Sequence, residues 1–149
     1  MKRYRSILAC VLALVTAFVV GCSAPEVAEP PTYSDAQLEQ IQEYKTDILG
    51  LRDRMTKELT ASIQNGDWVN VDNFVHGPLT TLLQDMNYLT GKLLPDDQPP
   101  ARKLYREVSQ HLVEVSTAAE KGDRAQAVTG YQEALKDLDT FLTQVPQAT

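Results

Sequence analysis

The chain has 149 residues, with 14 Lys and Arg against 20 Asp and Glu, a formal charge of −6, and only two Cys and two His. That length suits one domain with a real core and is too short for two. The acidic balance argues against nucleic acid as a partner, and so few Cys and His leave little material for a metal centre or a disulfide framework.

The first residues carry Lys2, Arg3 and Arg5 with no acid, and an apolar run follows from Ile7 to Val20. Such a run is too short to persist as a spanning helix and reads as a signal peptide. It ends in Val19-Val20-Gly21-Cys22, the pattern of a lipobox, in which the cysteine thiol receives diacylglycerol before cleavage. Ordinary secretory cleavage after Ala24 would put Pro25 directly behind the cut, where its ring and missing N–H make a poor protease substrate. Processing at Cys22 discards Cys10, leaves one thiol, and removes Lys2, Arg3 and Arg5 but no acid, so the formal charge falls from −6 to −9. With about 0.8 kcal/mol per buried methylene, two acyl chains anchor the protein without a transmembrane helix. Residues 1–21 are therefore expected to be a cleaved leader and residues 22–33 a lipidated tether. Pro25, Glu26, Glu29, Pro30 and Pro31 keep that tether extended and solvated.

Residues 34–149 are expected to form an all-α, up-down-up-down four-helix bundle. Ser34 and Gln37 make a capping box, after which Leu38, Ile41, Tyr44, Ile48, Leu51, Met55, Leu59 and Ile63 recur at steps of three and four. Asn65-Gly66 suits a left-handed helix end, because glycine has no Cβ to clash there. Asp67 caps a second helix with Val71, Phe74 or Val75, Leu79, Leu82, Met86, Leu89 and Leu93 inward. His76-Gly77-Pro78 interrupts it, and proline inside a helix predicts a kink or break. The loop Pro95-Asp96-Asp97-Gln98-Pro99-Pro100 leads into a third helix with Leu104, Val108, Leu112 and Val115 on its stripe. Asp123 and Gln126 stand in capping-box relation at the start of a fourth, whose stripe is Ala127, Tyr131, Leu135 or Ala134, Leu138, Leu142 and Val145. Short connections make sequential helices antiparallel.

No catalytic constellation appears: there is no glycine-rich phosphate loop, no nucleophile in a recognisable motif and no haem-attachment pair. His111 has Glu107 and Glu114 on its helix face, and His76 has Asp72 one turn back. Such clusters could hold an adventitious ion, but a hydrogen-bonded or solvated histidine is the simpler reading, and no metal site is assigned. Trp68 is expected to pack at the bundle end more than to anchor a partner. Asp96-Asp97 lacks the ligand spacing of a calcium loop and reads as a solvated turn. Gly122-Asp123, Ala127-Val128, Tyr131 and Ala134-Leu135 match the first helix of a tetratricopeptide repeat, but without a second helix or companion repeat the match is shared helix-packing grammar.

The lipobox leader, Phe74-Val75-His76-Gly77-Pro78-Leu79, Leu93-Leu94-Pro95-Asp96-Asp97-Gln98, Tyr131-Gln132-Glu133-Ala134-Leu135 and Phe141-Leu142 to Val145-Pro146-Gln147 together resemble the cyanobacterial PsbQ family. The resemblance implies a non-catalytic extrinsic subunit of photosystem II, held by its lipid on the lumenal side of the thylakoid membrane. It implies a role in stabilising the oxygen-evolving complex, in calcium and chloride retention and in assembly. The partners would be lumenal subunits, with no nucleic acid and no small-molecule substrate. No essential cofactor is expected, and the manganese-calcium cluster would be served only indirectly. His76, Gly77, Pro78, Leu79, Asp96 and Asp97 are candidate docking residues, because they interrupt otherwise regular helices. A generic periplasmic lipoprotein adaptor in envelope assembly is the alternative reading of the same leader and bundle.

Overall fold

Where apolar residues recur three and four apart, the chain coils into helices whose buried stripes meet in one core. A computed structural model describes residues 31–147. Its elements are α1 (Asp35–Arg54), a π-helical segment (Met55–Leu59), α2 (Thr60–Asn65), α3 (Trp68–His76), α4 (Pro78–Lys92), α5 (Gln98–Lys121) and α6 (Arg124–Gln144). α1, the π segment and α2 follow one another without a turn as one rod, and α3 and α4 form a second rod across Gly77. With α5 and α6 they make the four-rod, all-helical bundle, and the described residues contain no strand. α1 packs on α4, α3 on α5, and α5 on α6 over its length. Cys22, the leader and nearly all of the tether lie outside the described residues.

The ends of the rods follow from local chemistry. Ser34 accepts from the Gln37 amide while the Gln37 side chain takes the Ser34 amide at 3.1 Å, the complete capping box. Asp67 caps α3 by accepting from the Asn70 amide, and Asp123 caps α6 by accepting from the Gln126 amide at 3.0 Å. The Gln126 side chain makes no return bond, so the second expected box is only half formed. Gly66 and Gly122 end α2 and α5 with φ of 69° and 65°, a left-handed conformation that a Cβ would strain. Trp68 lies between these two turns: a Cβ on Gly122 would stand 3.5 Å from its indole nitrogen and one on Gly66 3.9 Å from its ring. Trp68 thus joins two hairpins at one end of the bundle, as its place after the cap suggested.

The core contains Ile41, Ile48, Met55, Leu59 and Ile63 from the first rod and Val71, Leu79, Leu82, Met86 and Leu89 from the second. Leu104, Val108, Leu112 and Val115 fill it from α5 as expected. α6 is rotated slightly from its expected stripe: Phe141 is fully buried while Leu142 is half-buried, and Ala134 faces inward more than Leu135. The reason is the small-residue seam Ala127, Gly130 and Ala134, which lets α6 approach α5 closely. A Cβ on Gly130 would come within 3.1 Å of Val115 Cγ2 and 3.2 Å of the His111 carbonyl oxygen. Between rods, Arg52 forks onto Asp139 with Nη2 3.0 Å from Oδ2, tying α1 to α6.

Candidate docking site at the helix break

Pro78 has no amide to continue the helix and instead occupies the first turn of α4, where its fixed φ is favourable. Gly77 bridges the two helices with φ −105° and ψ −95°, and its own amide still reaches the Asn73 carbonyl at 3.0 Å. A Cβ there would stand 2.9 Å from that carbonyl oxygen, so the close approach calls for glycine. The Thr80 hydroxyl donates to the His76 carbonyl at 3.0 Å, satisfying an acceptor that the break would orphan.

Two grooves flank the break. The first, of about 330 Å³, runs between the second rod and α5 and is lined by Val75, His76, Thr80, Leu112, Val113 and Ser116 among others. Val113 on its lip is 62% exposed. The second, of about 510 Å³, is lined by Glu58, Ser62, Asn70, Asn73, Phe74 and Pro78. It faces the π-helical segment, and the Arg54 guanidinium carbon sits 5.4 Å from the Phe74 ring centroid. The irregular turn of the first rod therefore lies beside the broken turn of the second, and π turns often mark functional positions.

Within the first groove, His76 Nε2 is 3.3 Å from Asp72 Oδ1 and 3.3 Å from Ser116 Oγ, while Ser116 donates to Asp72 at 3.0 Å. Serine, histidine and aspartate are together, with the Ser116 hydroxyl within hydrogen-bond distance of both the Asp72 carboxylate and the His76 ring. His111 is held between helices, with Nδ1 3.2 Å from Glu114 Oε2 and Nε2 3.3 Å from Asp137 Oδ2. That contact holds the Glu114 carboxyl below its usual range, aided by the Gln110 side chain. Glu107, expected on the same face, turns to Lys103 at 3.4 Å instead. Among the described residues no group of three or more His, Cys, Asp or Glu is placed to hold a metal.

The candidate docking residues separate into two places. His76, Gly77 and Pro78 rim the grooves, whereas Leu79 is fully buried in the core and offers a partner no side chain. Its inclusion was an error of contiguity: one residue past the break, the helical period turns inward. Asp96 and Asp97 lie beyond the far end of the 15-residue α4, about 20 Å away at 1.5 Å per residue. Asp96 is exposed, but Asp97 is engaged: the Tyr33 hydroxyl donates to Asp97 Oδ2 at 2.7 Å and accepts from the Leu94 amide at 3.1 Å. Burial, and then the Asp97 contact, push the Tyr33 hydroxyl above its ordinary value, with the Leu94 amide pulling the other way. Tyr33, just ahead of the Ser34 cap, is thus fastened to the bundle end. Sequence reasoning missed this strap, although an aromatic directly before a helix cap is the position of a hydrophobic staple. It also missed Ser116 as the partner of His76, because a contact spanning 40 residues has no local signal.

Two grooves beside a helix break and side-chain ties between rods, carried on four packed helical rods, place the described residues among the all-helical bundle proteins. A sequence model of the PsbQ family, described as oxygen evolving enhancer protein 3, matches residues 3–146. CyanoQ of Synechocystis sp. is 44% identical over 149 residues, an alignment that spans the whole of both chains. The chain belongs to the PsbQ family, a family of extrinsic, non-catalytic photosystem II subunits.

Proposed function

We propose that this protein is a lipid-anchored lumenal subunit that docks on photosystem II and stabilises its oxygen-evolving complex. The observation that carries the reading is the full-length 44% identity to CyanoQ. In its support, the leader ends in a lipobox at Cys22, and the described helices include none long and apolar enough to cross a membrane. Diacylglycerol on Cys22 would confine the bundle to the membrane surface and raise its effective concentration beside an integral partner. A small, polar docking face then suffices.

In this reading the bundle acts as a cover. Packed helices over the lumenal face slow the exchange of calcium and chloride by lengthening their path to water, and supply no ligand to the manganese-calcium cluster. The same contact favours assembly by adding interface area to the complex. The docking face includes the rim of the break at His76, Gly77 and Pro78, with Asp96 and Asp97 contributing from the bundle end.

The test is co-purification with photosystem II from solubilised thylakoids. Cys22→Ser should release the protein from the membrane fraction. His76→Ala and Asp96→Asn should lower its recovery with the photosystem while leaving the melting temperature unchanged. Recovery of both variants at the wild-type level would remove these residues from the docking face, and membrane retention of Cys22→Ser would refute lipid anchoring. Asp97→Asn is a poorer probe, since it also loosens the Tyr33 strap.

A further inference from the structure

α1 and α4 pack as antiparallel neighbours, so a step forward on one matches a step back on the other. Tyr44 meets Tyr88, with ring centroids 5.9 Å apart and planes tilted by 39°. Three residues along in each helix the same register brings Asp47 toward Asp85. The seam therefore presents a pair of tyrosines and, one turn away, a pair of carboxylates. Tyr44 is half-buried and props Tyr88, which stays 55% exposed with its ring toward solvent. Burial, and then the Asp47 charge, push the Asp85 carboxyl above its ordinary value.

Four carboxylates elsewhere on the bundle find cations of the same chain: Asp139 has Arg52, Glu58 has Arg54, Glu107 has Lys103 and Glu133 has Lys136. Along α1 the exposed Asp35, Glu39, Glu43 and Asp47 follow one another at four-residue steps. No described cation lies within 4 Å of any of them, nor of Asp85. Lys45 and Lys92, on the same two helices, pair with no carboxylate. Like charges at this spacing repel, so the isolated bundle carries an unsatisfied field beside an exposed aromatic face.

We propose that the seam at Tyr44, Tyr88, Asp47 and Asp85 is a docking receptor for a positively charged side chain, an arginine, on the protein surface the bundle covers. The proposal rests on the docking reading above and supplies the chemistry of the partner. A guanidinium is planar: it stacks on the face of Tyr88 and reaches the carboxylates with its N–H fork. Charge complementarity selects a basic segment over an apolar or acidic one. Two carboxylates without further donors fall short of a calcium or magnesium cage, which separates the seam from a metal site.

The experiment uses the full chain, expressed in a photosynthetic host in place of the native copy. Photosystem II is pulled down over a salt series and the bound subunit is quantified. Tyr88→Ala and the double variant Asp47→Asn with Asp85→Asn should each weaken association about tenfold, as loss of an interface anchor does. The double variant should also flatten the salt dependence, because screened carboxylates are what salt weakens. Arg102→Gln on α5, outside the seam, should behave as wild type. Wild-type association with both seam variants within twofold of it overturns the proposal and leaves the docking reading intact. Failure of the wild type to associate sinks the docking reading itself. Asp47 is exposed, so its single Asn variant folds and carries the test if Tyr88→Ala does not.

Discussion

Gly130 makes the α5–α6 approach depend on a single missing methyl. In an open helical position, replacing glycine by alanine stabilises by roughly 0.5–1 kcal/mol, since the unfolded chain loses freedom and the helix gains a better former. At Gly130 the new Cβ meets Val115 Cγ2 at 3.1 Å, the His111 carbonyl oxygen at 3.2 Å and the Val115 amide nitrogen at 3.3 Å. Two of these three atoms are backbone and cannot rotate away, so α6 must shift outward. Overpacking of this kind costs about 1–3 kcal/mol, which exceeds the propensity gain and leaves a net loss of about 1 kcal/mol. In a domain of this size that lowers the melting temperature by about 3–5 °C. Gly50 and Gly91 are the controls, because a Cβ at either would meet nothing within 4 Å. Gly50→Ala and Gly91→Ala should each raise the melting temperature by a few degrees, of order 0.5–1 kcal/mol. Thermal unfolding followed by far-ultraviolet circular dichroism reads all three. If Gly130→Ala melts as high as Gly91→Ala, the close-approach argument is wrong.

Tyr33→Phe removes one donor and one acceptor and should cost about 1 kcal/mol, with faster hydrogen exchange at the Leu94 amide and unchanged helix content; unchanged protection at Leu94 would show that the strap does not hold in solution. Trp68→Ala strips the ring from between two turns, and because the residue is only half-buried the loss should be about 2 kcal/mol, near half the figure for a fully buried aromatic. Its urea midpoint checks this, and a midpoint equal to wild type would mean the turns hold without it. Asp85 has its folded pKa above the reference of 3.8, so its ionised form is disfavoured on folding and stability falls as pH rises through the folded value. Asp85→Asn should therefore melt above wild type at pH 7, with the gap closing below pH 3.8 where both side chains are neutral; a lower melting temperature at pH 7 would reverse the assignment.

Much of the fold was written locally. Steps of three and four residues marked the inward stripes of all four rods, and Ser34, Asp67 and Asp123 marked three helix starts, because capping is a matter of residues within one turn of each other. Pro78 announced the break, since a missing amide has the same effect in any context. What escaped was set by neighbours distant in sequence. The π segment has no composition that distinguishes Met55–Leu59 from ordinary helix. The rotation of α6 toward Phe141 depended on how closely Ala127, Gly130 and Ala134 let it approach α5. At the candidate site the break at His76 to Pro78 was legible, whereas the burial of Leu79, the Ser116 contact and the Tyr33 strap on Asp97 needed the bundle assembled. The Tyr44–Tyr88 and Asp47–Asp85 pairs became visible only when two antiparallel helices set their register.

Tyr33 is bonded to Leu94 and Asp97, and Gln42 holds the Pro146 carbonyl at 2.8 Å, so the chain enters and leaves the bundle in the same quarter. Bulk added next to Pro146 would crowd that quarter. The hairpin at Lys121-Gly122-Asp123 stands at the other pole, separated by the 24 residues of α5, about 36 Å of helix. A small dye carried on Lys121 would report from there, a helix length away from Tyr33 and Pro146.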